Sequence, residues 1–157
     1  MKRDDERWMR EALLEAGRCL RRSDDARDDV PVGAVVVVDG QVVGRGHNQV
    51  VLQNDPTLHA EVVAIRDAVR TLGTPRLENA ALYVSLEPCP MCAGALWLAR
   101  FERLVFGAFD AKAGACGSVF DIARDVRLNH RLQVRGGVLE AECAEMLRDF
   151  FAARRQS

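Results

Sequence analysis

The chain has 157 residues, 48% hydrophobic and 29% charged, a composition that fits one soluble globular domain spanning 1–157 with a sizeable core. Its 22 basic and 23 acidic residues leave a formal net charge of -1, which excludes a whole-molecule electrostatic footprint for nucleic acid, so any RNA must meet a local patch. There is no apolar run long enough for a membrane span and no signal-peptide pattern after Met1-Lys-Arg-Asp-Asp-Glu, and an odd count of five cysteines does not suit a disulfide framework; the expectation is a cytoplasmic protein with no membrane partner.

Asp4 to Arg22 reads as an amphipathic helix, with Trp8, Met9, Ala12, Leu13, Ala16 and Leu20 at helical spacing and Cys19 as packing. Ser23 to Asp29 is a polar, acidic connection that should face away from any RNA phosphates. Val32 to Val38 is a continuously apolar strand, expected inside a sheet covered on both faces. Asp39-Gly40 turns it into a second strand, Gln41 to Gly46. Gly44 and Gly46 permit close backbone approach. Asn48 is either a turn former or a donor and acceptor suited to a planar base.

Asn54-Asp55-Pro56 predicts a helix start, with Asp55 as cap and Pro56 in the first turn, running through Val62, Val63, Ile65, Ala68, Val69 and Leu72 to Gly73. His59 and Glu61 then lie near the positive end of the helix dipole. Ala80 to Ser85 is a strand, and Pro88 opens a helix through Leu98 that puts Cys89 and Cys92 at its N-terminus, where thiolates are favoured. Arg103 to Ala108 is a strand. Phe109 to Gly117 is a glycine-punctuated loop unlike a P-loop. A short helix over Ser118 to Arg124, a last strand over Leu132 to Val134 and a helix over Leu139 to Arg155 complete the chain. Strands alternating with helices indicate an α/β domain of three layers, α/β/α, with the sheet in the middle.

The chemistry lies in Asp55-Pro-Thr-Leu-His59-Ala-Glu61 and, about thirty residues later, Pro88-Cys89-Pro90-Met91-Cys92. One imidazole and two thiols suit zinc, and three protein ligands leave the fourth tetrahedral position for water. The ion lowers the pKa of that water toward neutrality, giving a hydroxide nucleophile. Glu61 can approach the water without binding the metal and move its proton. The order H-x-E then P-C-x-x-C is the signature of zinc deaminases. A lone C-x-x-C would equally serve as a structural knuckle or redox pair, but His47, His130, Cys116, Cys19 and Cys143 do not lie at ligand spacing from the motif, and the open catalytic site is favoured.

The sequence resembles the cytidine-deaminase-like superfamily and, within it, the bacterial tRNA-specific adenosine deaminases. The matching residues include Val30-Pro-Val-Gly-Ala34, Gly46-His-Asn48, the two metal blocks, Asp110-Ala-Lys112, Gly114 to Ser118, Asn129-His-Arg131, Gly137 to Cys143, Phe150-Phe151 and Arg154-Arg155. The metal blocks imply deamination; the segments from Asp110 onward argue for the tRNA branch. The resemblance implies a central mixed five-stranded sheet, one Zn2+ per subunit on His59, Cys89 and Cys92, and Glu61 as proton shuttle. It also implies Asn48 at the flipped base, with Asp110, Lys112, Phe151 and Arg154 as contacts to the tRNA anticodon loop, in a homodimer.

The implied reaction is hydrolysis of a wobble adenosine to inosine, with attack at C6, protonation of N1 by Glu61 and loss of ammonia. Two departures stand out. Phe109 replaces a basic residue common in the family, and Cys116 stands where a small apolar residue is usual. The Cys-Pro-Met-Cys wording also resembles free-base guanine and cytosine deaminases, the rival reading, in which Phe150 and Phe151 are core and Arg154-Arg155 a solvated tail. A non-catalytic zinc module, with Glu61 incidental, is the third.

Overall fold

The computed structural model describes residues 2–20 and 28–155. The expected polar connection from Ser23 to Arg27, and the end of the first expected helix beyond Leu20, lie outside the described residues. The elements in order are α1 (Lys2–Gly17, continued by a 3-10 turn Arg18–Leu20), β1 (Gly33–Val38), β2 (Gln41–His47), α2 (Val50–Gln53), α3 (Ala60–Leu72), β3 (Ala81–Leu86), α4 (Pro90–Leu98), β4 (Arg103–Ala108), β5 (Gln133–Gly136) and α5 (Glu140–Arg155).

The five strands form one mixed sheet in the order β2-β1-β3-β4-β5. β1 pairs antiparallel with β2 and β3, while β3, β4 and β5 run parallel. β1 and β2 are joined by Asp39 and Gly40, both at positive φ (50° and 72°), the two-residue turn whose twist matches the strands it links.

Strand periodicity divides the core in two. Ala34, Val36, Leu82, Val84, Leu104 and Phe106 point to one face and meet Ala60, Ala64 and Ala68 of α3 and Ala93 and Leu96 of α4. Val35, Val37, Tyr83 and Val105 point to the other and meet Trp8, Met9 and Ala12 of α1 and Cys143 of α5. Burying each large apolar side chain contributes about 1.5–3 kcal/mol, which makes β1, β3 and β4, covered on both faces, the heart of the domain. The expected three layers are present. Among the described residues no helix is long and apolar enough to cross a membrane.

α3 packs unusually close to the sheet. A Cβ at Gly46 would fall 2.5 Å from both the Ala60 carbonyl oxygen and the Ala64 nitrogen, and one at Gly44 would fall 2.8 Å from the Ala68 Cβ. These two glycines of β2 therefore set the height of the helix that begins beside His59.

Two expected boundaries are corrected. α3 starts at Ala60, not at Pro56, because the Asp55 carboxylate turns onto the Thr57 N–H (2.9 Å) and hydroxyl (2.7 Å) in a local turn; the preceding turn, Val50–Gln53, is a separate short helix closed by Asn54 in the left-handed conformation. Likewise α4 starts at Pro90 and Pro88 precedes it. The helix expected over Ser118 to Arg124 is absent. Gly117 sits at φ 134°, and the N–H groups of Val119 and Phe120 both turn back onto the Gly114 carbonyl, so the segment is a chain of turns with one bridge, Cys116 to Asp121.

Candidate metal and proton-transfer site

The helix starts converge at the site. His59 is the N-cap of α3 and Cys89 the N-cap of α4, and neither side chain caps its own helix. Their free side chains reach the same point, with Cys92 in the first turn of α4. Ligand atoms of His59, Cys89 and Cys92 all lie within 4.8 Å of one another, an arrangement that can hold a metal ion. The imidazole presents Nδ1, which is 3.5 Å from each sulfur. In a tetrahedron with Zn–S of about 2.3 Å and Zn–N of about 2.05 Å, the N to S edge is about 3.6 Å. The donor set fits zinc in chemistry and in spacing.

Hydrogen bonds within the set distribute its protons unequally. The hydrogen bond shared with Cys92 draws the Cys89 thiol down to about 4, although burial opposes it. That same bond, with burial, holds the Cys92 proton well above the ordinary thiol range. The bond to Cys89 raises His59 above its usual value. Two helix N-termini add positive potential where these thiolates gather.

Glu61, in the first turn of α3, is 4% exposed. Burial pushes its carboxyl up to about 7, against the lowering pull of its own backbone N–H and of His59. A carboxylate poised near neutrality, adjoining a ligand set to which it does not belong, can accept and return a proton at working pH.

Asn48 lies at the end of β2 and is pinned at both ends of its amide. Its Oδ1 accepts the Ala60 N–H (2.8 Å), the first amide of α3, and its Nδ2 donates to the Val30 carbonyl (3.0 Å). It therefore does the capping at this end of α3 that the sequence suggested for Asp55. Asp29, buried, similarly caps α2 by accepting the N–H groups of Val51 (2.8 Å) and Leu52 (3.1 Å).

The remaining residues singled out in the sequence fall on two elements. Asp110, just after β4, turns its carboxylate onto the N–H groups of Lys112 (3.0 Å) and Ala113 (3.2 Å). Lys112, Phe151 and Arg154 line a common groove of about 530 Å³ with Leu147 and Arg148. Phe151 is 47% exposed there. Arg154 also donates to the Asp28 carbonyl (2.9 Å) and stacks over the Phe150 ring at 4.1 Å. Arg148 was missed by sequence reasoning because an arginine between helical turns reads as a solvated face; only the groove distinguishes it.

Three cations and an aromatic face without a carboxylate suit a nucleic-acid strand. A second cavity of about 600 Å³, which shares Arg154, is lined by Asp28, Glu142, Glu145 and Asp149 and has the wrong sign for phosphate.

Residues 2–108 match the family model for the cytidine and deoxycytidylate deaminase zinc-binding region. The tRNA-specific adenosine deaminase of Bacillus subtilis (strain 168) is 45% identical over 152 residues, 97% of this chain and 91% of its own length. A solved structure from biochemical and structural studies of A-to-I editing by tRNA:A34 deaminases at the wobble position of transfer RNA superposes with a TM-score of 0.83 at 44% identity, covering 90% of this chain and 99% of that one. Guanine deaminase from Bacillus subtilis is more distant in shape, with a TM-score of 0.61 at 39% identity over 74% of this chain and 70% of that one.

Proposed function

Because the chain belongs to the zinc-binding deaminases and, within them, to the tRNA-specific adenosine deaminase family, we propose that it hydrolyses adenosine to inosine at the wobble position of a tRNA anticodon, as one deaminase domain over 1–157. The observation that carries the reading is the His59, Cys89 and Cys92 set beside a buried Glu61, joined through the chain to a groove of Lys112, Arg148, Phe151 and Arg154.

His59 through Nδ1, and Cys89 and Cys92 through sulfur, would hold the zinc. Bound there, zinc supplies Lewis acidity that makes a water nucleophilic near neutral pH. Glu61 takes the proton from that water, delivers it to N1 of the adenine as C6 is attacked, and then assists the amino group to leave as ammonia. Burial, which raises its carboxyl, favours holding the proton between the two transfers. Asn48 keeps one amide N–H and one lone pair for the edge of the flipped base, in a position fixed by its two backbone bonds. Phe151 offers a stacking face, Lys112 and Arg154 meet phosphates of the anticodon loop, and Asp110 shapes the turn that presents Lys112. A wobble base is already unpaired, so its extrusion costs less than from a duplex.

The protein acts in the cytoplasm as a homodimer. Leu98, Val119, Phe120 and Val126 expose large apolar side chains of the kind that a second copy covers.

The test incubates the zinc-loaded protein with an anticodon stem-loop carrying a wobble adenosine and, separately, with free guanine, cytosine and adenosine, scoring inosine and ammonia. Inosine in the stem-loop alone is the expected result. Ammonia from a free base alone moves the chain to the branch of the guanine deaminase that shares its fold.

A further inference from the structure

Glu87 stands two residues before Cys89 and is 2% exposed, yet it contributes nothing to the metal set. Its carboxylate instead gathers the loop that follows β4. Oε1 accepts the Asp110 N–H at 3.1 Å and the Ser118 hydroxyl; Oε2 accepts the N–H groups of Cys116 and Ser118, each at 3.1 Å. A carboxylate offers about four acceptor positions, and all four are used by one loop. The loop is strapped to the same segment a second time, by the Ala115 N–H on the Pro88 carbonyl at 2.8 Å. Gly114 makes the wrap possible, since a Cβ there would fall 2.5 Å from Asp110 O and from Glu87 Oε2.

The loop held in this way carries Asp110 and, through the Asp110 turn, Lys112. Pro88 holds the loop as well as Glu87 does, so the approach to the cysteine turn and the loop of the RNA groove share an anchor, while Arg124 and Ile122 tie the far end of the loop to the turns that follow it.

We propose that Glu87 is a positioning residue that couples the cysteine turn to the Asp110–Ser118 loop and so sets how Asp110 and Lys112 meet the RNA substrate. The proposal rests on the RNA reading above. A side chain that served the fold alone would affect stability and leave the substrate dependence unchanged. A positioning residue changes the affinity for RNA while the zinc set and the chemical step stay in place.

The experiment compares wild type with Glu87→Gln and Ser118→Ala, each zinc-loaded. The glutamine replaces one acceptor oxygen by an NH2 that faces donors. Ser118→Ala removes a single donor from an exposed residue and keeps the fold even where the glutamine variant does not. For Glu87→Gln the expected result is a KM for the wobble-adenosine stem-loop raised about tenfold, with kcat within about threefold and zinc content unchanged. Ser118→Ala should raise KM by about twofold to fivefold.

Lys112→Ala should raise KM in the wild-type background and add little to Glu87→Gln, because its position is already lost. Amide hydrogen exchange supplies a readout independent of activity. Asp110, Cys116 and Ser118 should lose protection in Glu87→Gln while α4 keeps its own. Unchanged exchange at those amides, additive effects of the Lys112 and Glu87 substitutions, or a fall in kcat or zinc content at unchanged KM would overturn the proposal. A wild-type protein that deaminates only a free base would defeat the RNA reading instead, and the exchange experiment would still decide whether Glu87 holds the loop.

Discussion

Two buried carboxylates divide this molecule. Asp5, on α1, is 2% exposed and is matched by the fold itself: Arg103 donates to Oδ1 at 2.6 Å and to Oδ2 at 2.7 Å, Arg135 reaches Oδ2, and the Tyr83 hydroxyl donates at 3.0 Å. Glu61 is nearly as buried and has no arginine or lysine partner among the described ion pairs. The consequence appears in their acidities. Burial would raise Asp5, but its arginines and tyrosine outweigh it and hold the carboxyl below 3.8. Burial wins at Glu61 and the carboxyl climbs to about 7. A compensated buried charge ties strands together; an uncompensated one is available for proton transfer.

The comparison can be broken from either side. Removing zinc with a chelator should abolish deamination reversibly, restored by added zinc, while unfolding measurements show the Asp5 network still in place. Glu61→Ala should lower kcat by about 10²–10⁴-fold with zinc content retained, and without loss of stability, since an uncompensated buried carboxylate has been removed. Retained turnover in that variant would sink its assignment as proton carrier. Asp5→Ala should do the opposite. Denaturant unfolding should show a loss of about 2–3 kcal/mol, less than the 3–5 typical of a fully buried pair because both arginines reach solvent, with kcat unchanged.

The pH dependence follows from the sign of the shift. Asp5 has a folded pKa below its ordinary 3.8, so its stabilisation is fully present above that value and is lost as pH falls through the folded pKa. The stability gap between wild type and Asp5→Asn should therefore be constant near neutrality and close below about pH 4. The smallest effect belongs to the groove. Arg148→Ala should weaken binding of the stem-loop modestly and reduce the slope of log K against log salt by about one.

The metal set was legible in the sequence because H-x-E and P-C-x-x-C carry their geometry locally: one ligand at the start of α3, one at the start of α4, and a third, Cys92, one turn into α4. The layers were legible too, because strands alternate with helices along the chain and Val32 to Val38 is apolar throughout, as a strand covered on both faces must be. What escaped depends on distant partners. Asp5 finds Arg103 and Arg135 across 98 and 130 residues, and Glu87 finds its loop 23 to 31 residues downstream. No local pattern announces either. Asp55-Pro56 misled for the reverse reason: a good capping sequence was overridden by a nearer hydroxyl at Thr57, and the α3 amide was taken by Asn48 instead.

The glycines of β2 bear on how such an enzyme can be re-tuned. With Gly44 and Gly46 leaving no space for even a methyl group beneath α3, the ledge that carries His59 and Glu61 cannot be raised or tilted by small steps of side-chain size. Variation in substrate choice is therefore channelled into the peripheral loops and the last helix, and the catalytic ledge stays where the hairpin puts it.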